Sequence, residues 1–346
     1  MIDTTARVTI RTVIEEFVRE ELSAENAHIA SAVAQMLDAG GKRLRPRITM
    51  LATRACGADA PEDPVLAAYM ELIHVATLIH DDVLDDAGMR RGVQSTNSAY
   101  GNRFSVLAGD YLFSWVFKKV TLGYPSPIPT VLAAMLAEIC NGEVRQLRAA
   151  GNAGLPMTTY LEIIGKKTAA LFAACAECGA ILASMRSRGD DGADVRAAVP
   201  VKALRAYGWE FGMAFQIRDD LLDVIADERD LGKPACSDLR EKKVTLPLIH
   251  ALAGGDSDRR VAVERLFAAA DTASGDATRD VCEIAAAIRR GPAVSKTVAS
   301  IREHAAAAEA ALVAVPASPA RDELAELARG LTEIAPSRAG HTSALP

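Results

Sequence analysis

Two groups of aspartates, far apart along the chain, carry the strongest chemical signal. His80-Asp81-Asp82-Val83-Leu84-Asp85-Asp86 sets four carboxylates in a short stretch. On a helix, residues four apart share a face, so Asp81 stacks with Asp85 and Asp82 with Asp86. Mutual repulsion and the helix macrodipole both oppose such a group at a helix C-terminus. A solvated acidic helix end is the ordinary explanation, but the apolar run Val75-Ala76-Thr77-Leu78-Ile79 just before it argues against simple exposure. A divalent cation would offset the cost, and Mg²⁺ typically takes one or two protein carboxylates together with waters and phosphate oxygens. Asp219, Asp220 and Asp223, in FQIRDDLLDV, repeat the pattern among Phe215, Ile217, Leu221 and Leu222. Carboxylates framed by large apolar side chains are unfavourable unless paired or metal-bound. One such motif is weak evidence, whereas two on separate helices could clamp several Mg²⁺ ions between them.

The basic residues complement this pattern. Gly40-Gly41-Lys42-Arg43-Leu44-Arg45-Pro46 puts three cations at a loop-to-helix junction, and Arg90-Arg91-Gly92 follows the first acidic group. Lys166-Lys167-Thr168, Lys233 and Lys243 add more. Arginine forks and lysine charges beside Mg²⁺ are what a diphosphate ligand requires. Each alone would be an ordinary surface cation; beside two acidic motifs they read as a diphosphate site.

These groups need helices to hold them, and the composition supplies helices. Of the 346 residues half are hydrophobic and only 5% aromatic, with alanine abundant throughout, which favours an all-α chain over a strand-rich one. Helical patterning covers about 7–38, 46–56, 65–85, a long stretch after Gly109, then 130–149, 158–185, 197–226, 244–253, 258–270, 278–289 and 293–314. Residues 86–104 and 227–243 read as loops, and YPSPIP interrupts with three prolines. No linker divides the pattern, so residues 1–333 are expected to form one helical domain and 334–346 a disordered tail. A formal charge of −6 argues against a nucleic-acid protein. The six cysteines are scattered, and Cys175 and Cys178 form a CxxC inside an apolar helical run, which reads as reduced core rather than a metal or redox site. The amphipathic N-terminus lacks the pattern of a signal peptide, and no uncharged run of 18 apolar residues occurs. The expectation is a cytoplasmic protein with no stable membrane insertion.

GGKRLRP, ELIHVATLIHDDVLDDAGMRRG, GKKTAALF, FQIRDDLLD and DLGKPACSDLREKKVTLPL resemble, in order, the motif series of the trans-prenyl diphosphate synthases, or polyprenyl synthetases. The resemblance covers about residues 40–250. It implies a large helical bundle of the isoprenoid synthase type with a central substrate cavity, three Mg²⁺ ions held with substrate diphosphate, and a homodimer. By it, Asp81, Asp82, Asp85, Asp219, Asp220 and Asp223 hold the metal on an allylic diphosphate. Arg90, Lys167, Lys233 and Lys243 contact that diphosphate, with Lys167 also counted as catalytic. Lys42, Arg45, His74 and Arg91 bind isopentenyl diphosphate, Gln216 lies beside the allylic site, and Thr168 near the reacting carbons. Asp86 is extra to the pattern, and His80 suits a capping or supporting role as well as a catalytic one.

The reaction so implied joins isopentenyl diphosphate head to tail to an allylic diphosphate. The growing chain would pass residues one and two turns before Asp81, namely Thr77, Ala76 and Ile73. Small Ala76, where short-chain relatives place bulk, points by that resemblance to six or more isoprene units. Phe113 or Trp115 could instead form a floor that stops the product at geranylgeranyl or farnesyl length. A terpene cyclase would pair one aspartate-rich motif with an Asn/Ser/Glu motif not found here, and a non-catalytic partner subunit would usually lack one of the two motifs.

Overall fold

Alternating apolar and polar positions at helical spacing produce a helical bundle, seen in a computed structural model that describes residues 12, 15, 27–38, 42–57, 63–90, 92–188, 195–226, 235–255, 257–270, 272 and 274–334. Arg91, Lys233 and all but the first residue of the expected tail at 334–346 lie outside the described residues. So does most of the helix expected over 7–38, of which α1 (Ala27–Asp38) is the described part.

Helix α2 (Leu44–Cys56) follows the glycine-rich junction, and α3 (Pro64–Leu84) starts where Asp63 accepts a hydrogen bond from the Leu66 amide and proline occupies the first turn. Buried residues occupy every side of α3 between Leu66 and Ile79, the mark of a helix surrounded by protein. Beyond it the expected loop contains a short antiparallel hairpin, β1 (Met89–Arg90) and β2 (Val93–Gln94), with Met89 opposite Gln94. Then come α4 (Thr96–Tyr100) and α5 (Asn102–Gly123), which begins about two turns before Gly109. Gly109 is no helix start, because α5 lies against α3 there: a Cβ on Gly109 would meet the His80 ring at 2.2 Å.

Helix α6 (Pro127–Ala149) leads to α7 (Met157–Ile164), which continues through one π turn (Gly165–Ala169) into α8 (Ala170–Arg188). This continuous run, Met157–Arg186, is long and apolar enough to cross a membrane, yet 94% of its most apolar window is buried inside the protein. It packs between α2 and α9 (Val199–Ile225). The approach is close on both sides: a Cβ on Gly179 would lie 2.3 Å from the Thr49 carbonyl, and one on Gly208 2.4 Å from that of Phe172. Phe172, Tyr207 and Phe211 lie fully buried between these helices. Cys175 and Cys178 are buried in α8, and burial raises both thiols, Cys175 to about 12, so the CxxC is apolar filling.

The remaining helices, α10 (Ser237–Arg240), α11 (Leu246–Leu252), α12 (Ser257–Ala268), α13 (Gly275–Arg290), α14 (Ala293–Ala311) and α15 (Pro319–Gly330), flank α9 and α2, except that α12 packs on α13. Sequence patterning does not anticipate α15. It is capped by Ser318 and pinned to the bundle by Arg47, which bonds Glu323 at 2.6 Å, and by the Tyr207 hydroxyl, which donates to the Leu324 carbonyl.

Candidate active site

The C-terminal end of α3 and the last third of α9 open onto one cavity of about 990 Å³, and the two aspartate groups sit on its wall. Asp81 and Asp85 from α3 and its cap border it, as do Asp219 and Asp220 from α9. Asp82 and Asp223 do not. Asp82 has no exposed surface and accepts a hydrogen bond from Arg90, brought back over it by the hairpin. Burial raises its carboxyl; Arg90 opposes this, and Asp81 and Asp85 add to it. Asp223 is 1% exposed and accepts from the Ser237 hydroxyl (2.7 Å) and the Asp238 amide (3.1 Å), tying the start of α10 to α9.

Asp220 borders the cavity but faces a buried network. The Tyr160 hydroxyl donates to one carboxylate oxygen (2.6 Å), and the Gln216 amide donates to the other (2.7 Å). The Thr168 hydroxyl in turn donates to Gln216 (2.7 Å), so the network links α7, the π turn and α9. Burial pushes the Asp220 carboxyl up to about 7, against these two donors and helped by Asp219 and Asp223.

Cations stand opposite the acids that reach the cavity. Lys167 Nζ lies 3.8 Å from Asp81 and 2.5 Å from Glu143 of α6. Lys243 Nζ lies 2.9 Å from Asp85 and 2.6 Å from Glu241. Burial alone would lower the Lys243 ammonium, but Glu241, Asp85 and Asp238 together hold it above its ordinary value. These pairings offset the unfavourable charge at the end of α3. The π turn is what presents Lys167 and Thr168, since a single wide turn re-aims the side chains within an otherwise regular helix. Only a glycine fits opposite: a Cβ on Gly142 would meet the Lys167 backbone nitrogen at 2.7 Å.

Lys42, Arg45 and His74 border the same cavity. Arg45 stacks its guanidinium 4.5 Å over the Phe172 ring. Burial lowers the Lys42 ammonium, as does Arg218, while Asp219 acts against them. Apolar wall comes from Leu78, Ile139, Ile164, Leu171 and Phe215. Of the residues expected along the growing chain, Thr77 lines the cavity, whereas Ile73 and Ala76 are fully buried and do not border it. Phe113 and His80 pack together on another side, with ring centroids 5.7 Å apart, and His80 is held at 3.0 Å to the Val106 carbonyl of α5, a supporting rather than a cavity position. Sequence reasoning passed over Glu143, Glu241, Tyr160 and Glu71. For Glu143 a signal existed in its place beside Gly142 in NGEVRQ; nothing local marks Tyr160 or Glu71.

Over residues 26–285 the chain matches the polyprenyl synthetase family. It is 38% identical to heptaprenyl diphosphate synthase component 2 of Geobacillus stearothermophilus, covering 91% of this chain and 92% of that one. It is also 38% identical to octaprenyl diphosphate synthase of Escherichia coli (72% and 75%), and 34% to a short chain isoprenyl diphosphate synthase of Methanothermobacter thermautotrophicus (91% and 93%). Among solved structures, polyprenyl synthase from Caulobacter crescentus, complexed with calcium and isoprenyl diphosphate, superposes with a TM-score of 0.84 at 35% identity, covering 95% of each chain.

Proposed function

Because the chain belongs to the polyprenyl synthetase family of prenyltransferases, we propose that it joins isopentenyl diphosphate head to tail to an allylic diphosphate and builds a product of six or more isoprene units. The observation that carries this reading is the shared cavity, where Asp81, Asp85 and Asp219 stand with Lys167 and Lys243 beside an apolar wall. A carboxylate donor set suits a hard, oxygen-seeking cation. Among the described residues no three such side chains converge tightly enough to enclose an ion by themselves. The protein would thus supply part of each coordination shell and leave the rest to diphosphate oxygens and water, as Mg²⁺ prefers. Asp81, Asp85 and Asp219, which border the cavity, would hold three such ions together with Asp82, Asp220 and Asp223, whose carboxylates would exchange their present partners for metal.

When bound, Mg²⁺ neutralises charge developing on the leaving diphosphate. Lys167, Lys243 and Arg90 would add fixed positive charge at the same place, with Lys233 joining them from outside the described residues. Cleavage of the carbon–oxygen bond releases diphosphate and leaves an allylic cation. Leu78, Ile139, Ile164, Leu171 and Phe215 keep water from that cation. Lys42, Arg45, His74 and Arg91 would place the isopentenyl double bond for attack, and Gln216 and Thr168 would sit near the reacting carbons. The new carbon–carbon bond forms, and the proton lost from the adjacent carbon passes to the departing diphosphate that the lysines retain.

Product length rests on relatives named for seven and eight units, since small Ala76 lies behind the cavity wall rather than on it. A homodimer is supported by large apolar side chains left exposed on α5 and α6, among them Leu107 at 64% and Leu147 at 57%. Glutamate at both positions should reduce the particle mass seen by light scattering to that of one chain. A cytoplasmic setting agrees with six unpaired cysteines. The deciding assay offers labelled isopentenyl diphosphate and Mg²⁺ with dimethylallyl, geranyl, farnesyl and geranylgeranyl diphosphates in turn. A ladder ending at six or more units is expected; one ending at four refutes the length, and no incorporation with any primer refutes the reaction.

A further inference from the structure

Arg43 occupies the left-handed region, with φ 48° and ψ 40°, between Lys42 and the first residue of α2. A non-glycine residue held there needs compensation from its surroundings, and such positions cluster at functional sites. No side-chain cap holds this junction. What anchors it is an ion pair: the Arg43 guanidinium donates to Glu71, a carboxylate of α3 only 4% exposed. A carboxylate so buried is costly unless paired. Glu71 and His74 are three residues apart and therefore share one face of α3. The left-handed turn lets Lys42 before it and Arg45 after it both reach the cavity that His74 borders. Arg45 is braced on its other side by Phe172.

We propose that Glu71, acting through Arg43, is a positioning residue for the second diphosphate substrate: the buried pair holds the left-handed turn that aims Lys42 and Arg45 at one diphosphate group. Arg43 spends its charge on Glu71, so it sets the geometry of its neighbours while they supply the charge. This assignment rests on the reading that isopentenyl diphosphate is bound by Lys42, Arg45 and His74.

Steady-state kinetics with each substrate varied separately test it. Glu71→Gln keeps the size and removes the charge, and Arg43→Gln removes the other partner. Each should raise KM for isopentenyl diphosphate roughly 10–100-fold, the scale of misplacing a binding group by about an ångström, and leave KM for the allylic substrate nearly unchanged. The double variant should be no worse than either single one, because both break the same link. Arg43→Lys, which keeps the charge, should recover much of the loss. If Glu71→Gln does not fold, Arg43→Gln and Arg43→Lys still decide the matter, since Arg43 lies at the cavity edge. Equal rises in both KM values, additive single effects, or folded variants with an unmoved KM overturn the proposal. A wild-type enzyme that incorporates no isopentenyl diphosphate refutes the function itself; normal wild-type turnover beside unchanged variants refutes only the positioning role.

Discussion

Replacing Asp220 by asparagine should separate stability from activity in opposite directions. Burial raises the Asp220 carboxyl from its ordinary 3.8 to about 7, with Asp219 and Asp223 assisting against the Tyr160 and Gln216 hydrogen bonds. That displacement corresponds to about 4 kcal/mol of penalty for the charged form in the folded protein. Because the folded-state value is raised, the contribution of this group to stability is complete below about pH 4 and is lost as pH rises through 7. Asparagine removes the charge yet still accepts from Gln216 and meets the Tyr160 hydroxyl, so the network survives. In EDTA at pH 8, Asp220→Asn should be more stable than the wild type by up to about 4 kcal/mol, a gap that narrows to about 2 kcal/mol at pH 5. Urea unfolding followed by circular dichroism, at one protein concentration, measures both. With Mg²⁺ and substrates restored, turnover should fall. A variant no more stable than wild type at pH 8 would refute the argument that burial, rather than packing, sets the energetics of this site.

Other perturbations separate the remaining parts. Asp81→Ala should cut turnover by at least about 10²-fold, as loss of transition-state charge stabilisation does, with no drop in melting temperature in EDTA; unchanged turnover would sink its assignment. Gly142→Val forces a side chain into the Lys167 backbone, so turnover should fall together with about 1–3 kcal/mol of stability; a fully active variant would show that the π turn does not set the position of Lys167. Ala76→Phe and Thr77→Phe should both shorten the product on a chromatographic ladder. Thr77→Phe should act with less cost to folding, because Thr77 already borders the cavity and Ala76 is fully buried.

Helical class and the two acidic groups were legible because both depend on local spacing. Asp81 with Asp85, and Asp219 with Asp223, sit four apart, and α-helical geometry alone stacks them. The cations near them are likewise marked by residue type. What each aspartate does was not legible. Asp82 accepts from Arg90, and Asp223 from Ser237 and the Asp238 amide, because a hairpin and a short helix fold over those faces. The segment forming α15 carries a fair helix start in Ser318-Pro319, but its docking on α2 depends on Arg47, far away in sequence.

The sequence by itself determined that this chain is helical, that it concentrates carboxylates at two helix ends, and that it belongs among proteins built to handle diphosphates. Periodicity, charge and motif order are properties of neighbours along the chain. Only the tertiary structure decided which carboxylates meet the cavity, that a π turn aims Lys167 past Gly142, and that the buried Glu71 holds Arg43 in a left-handed turn. Each of these depends on which surface packs against which, and packing brings together residues that no local spacing relates.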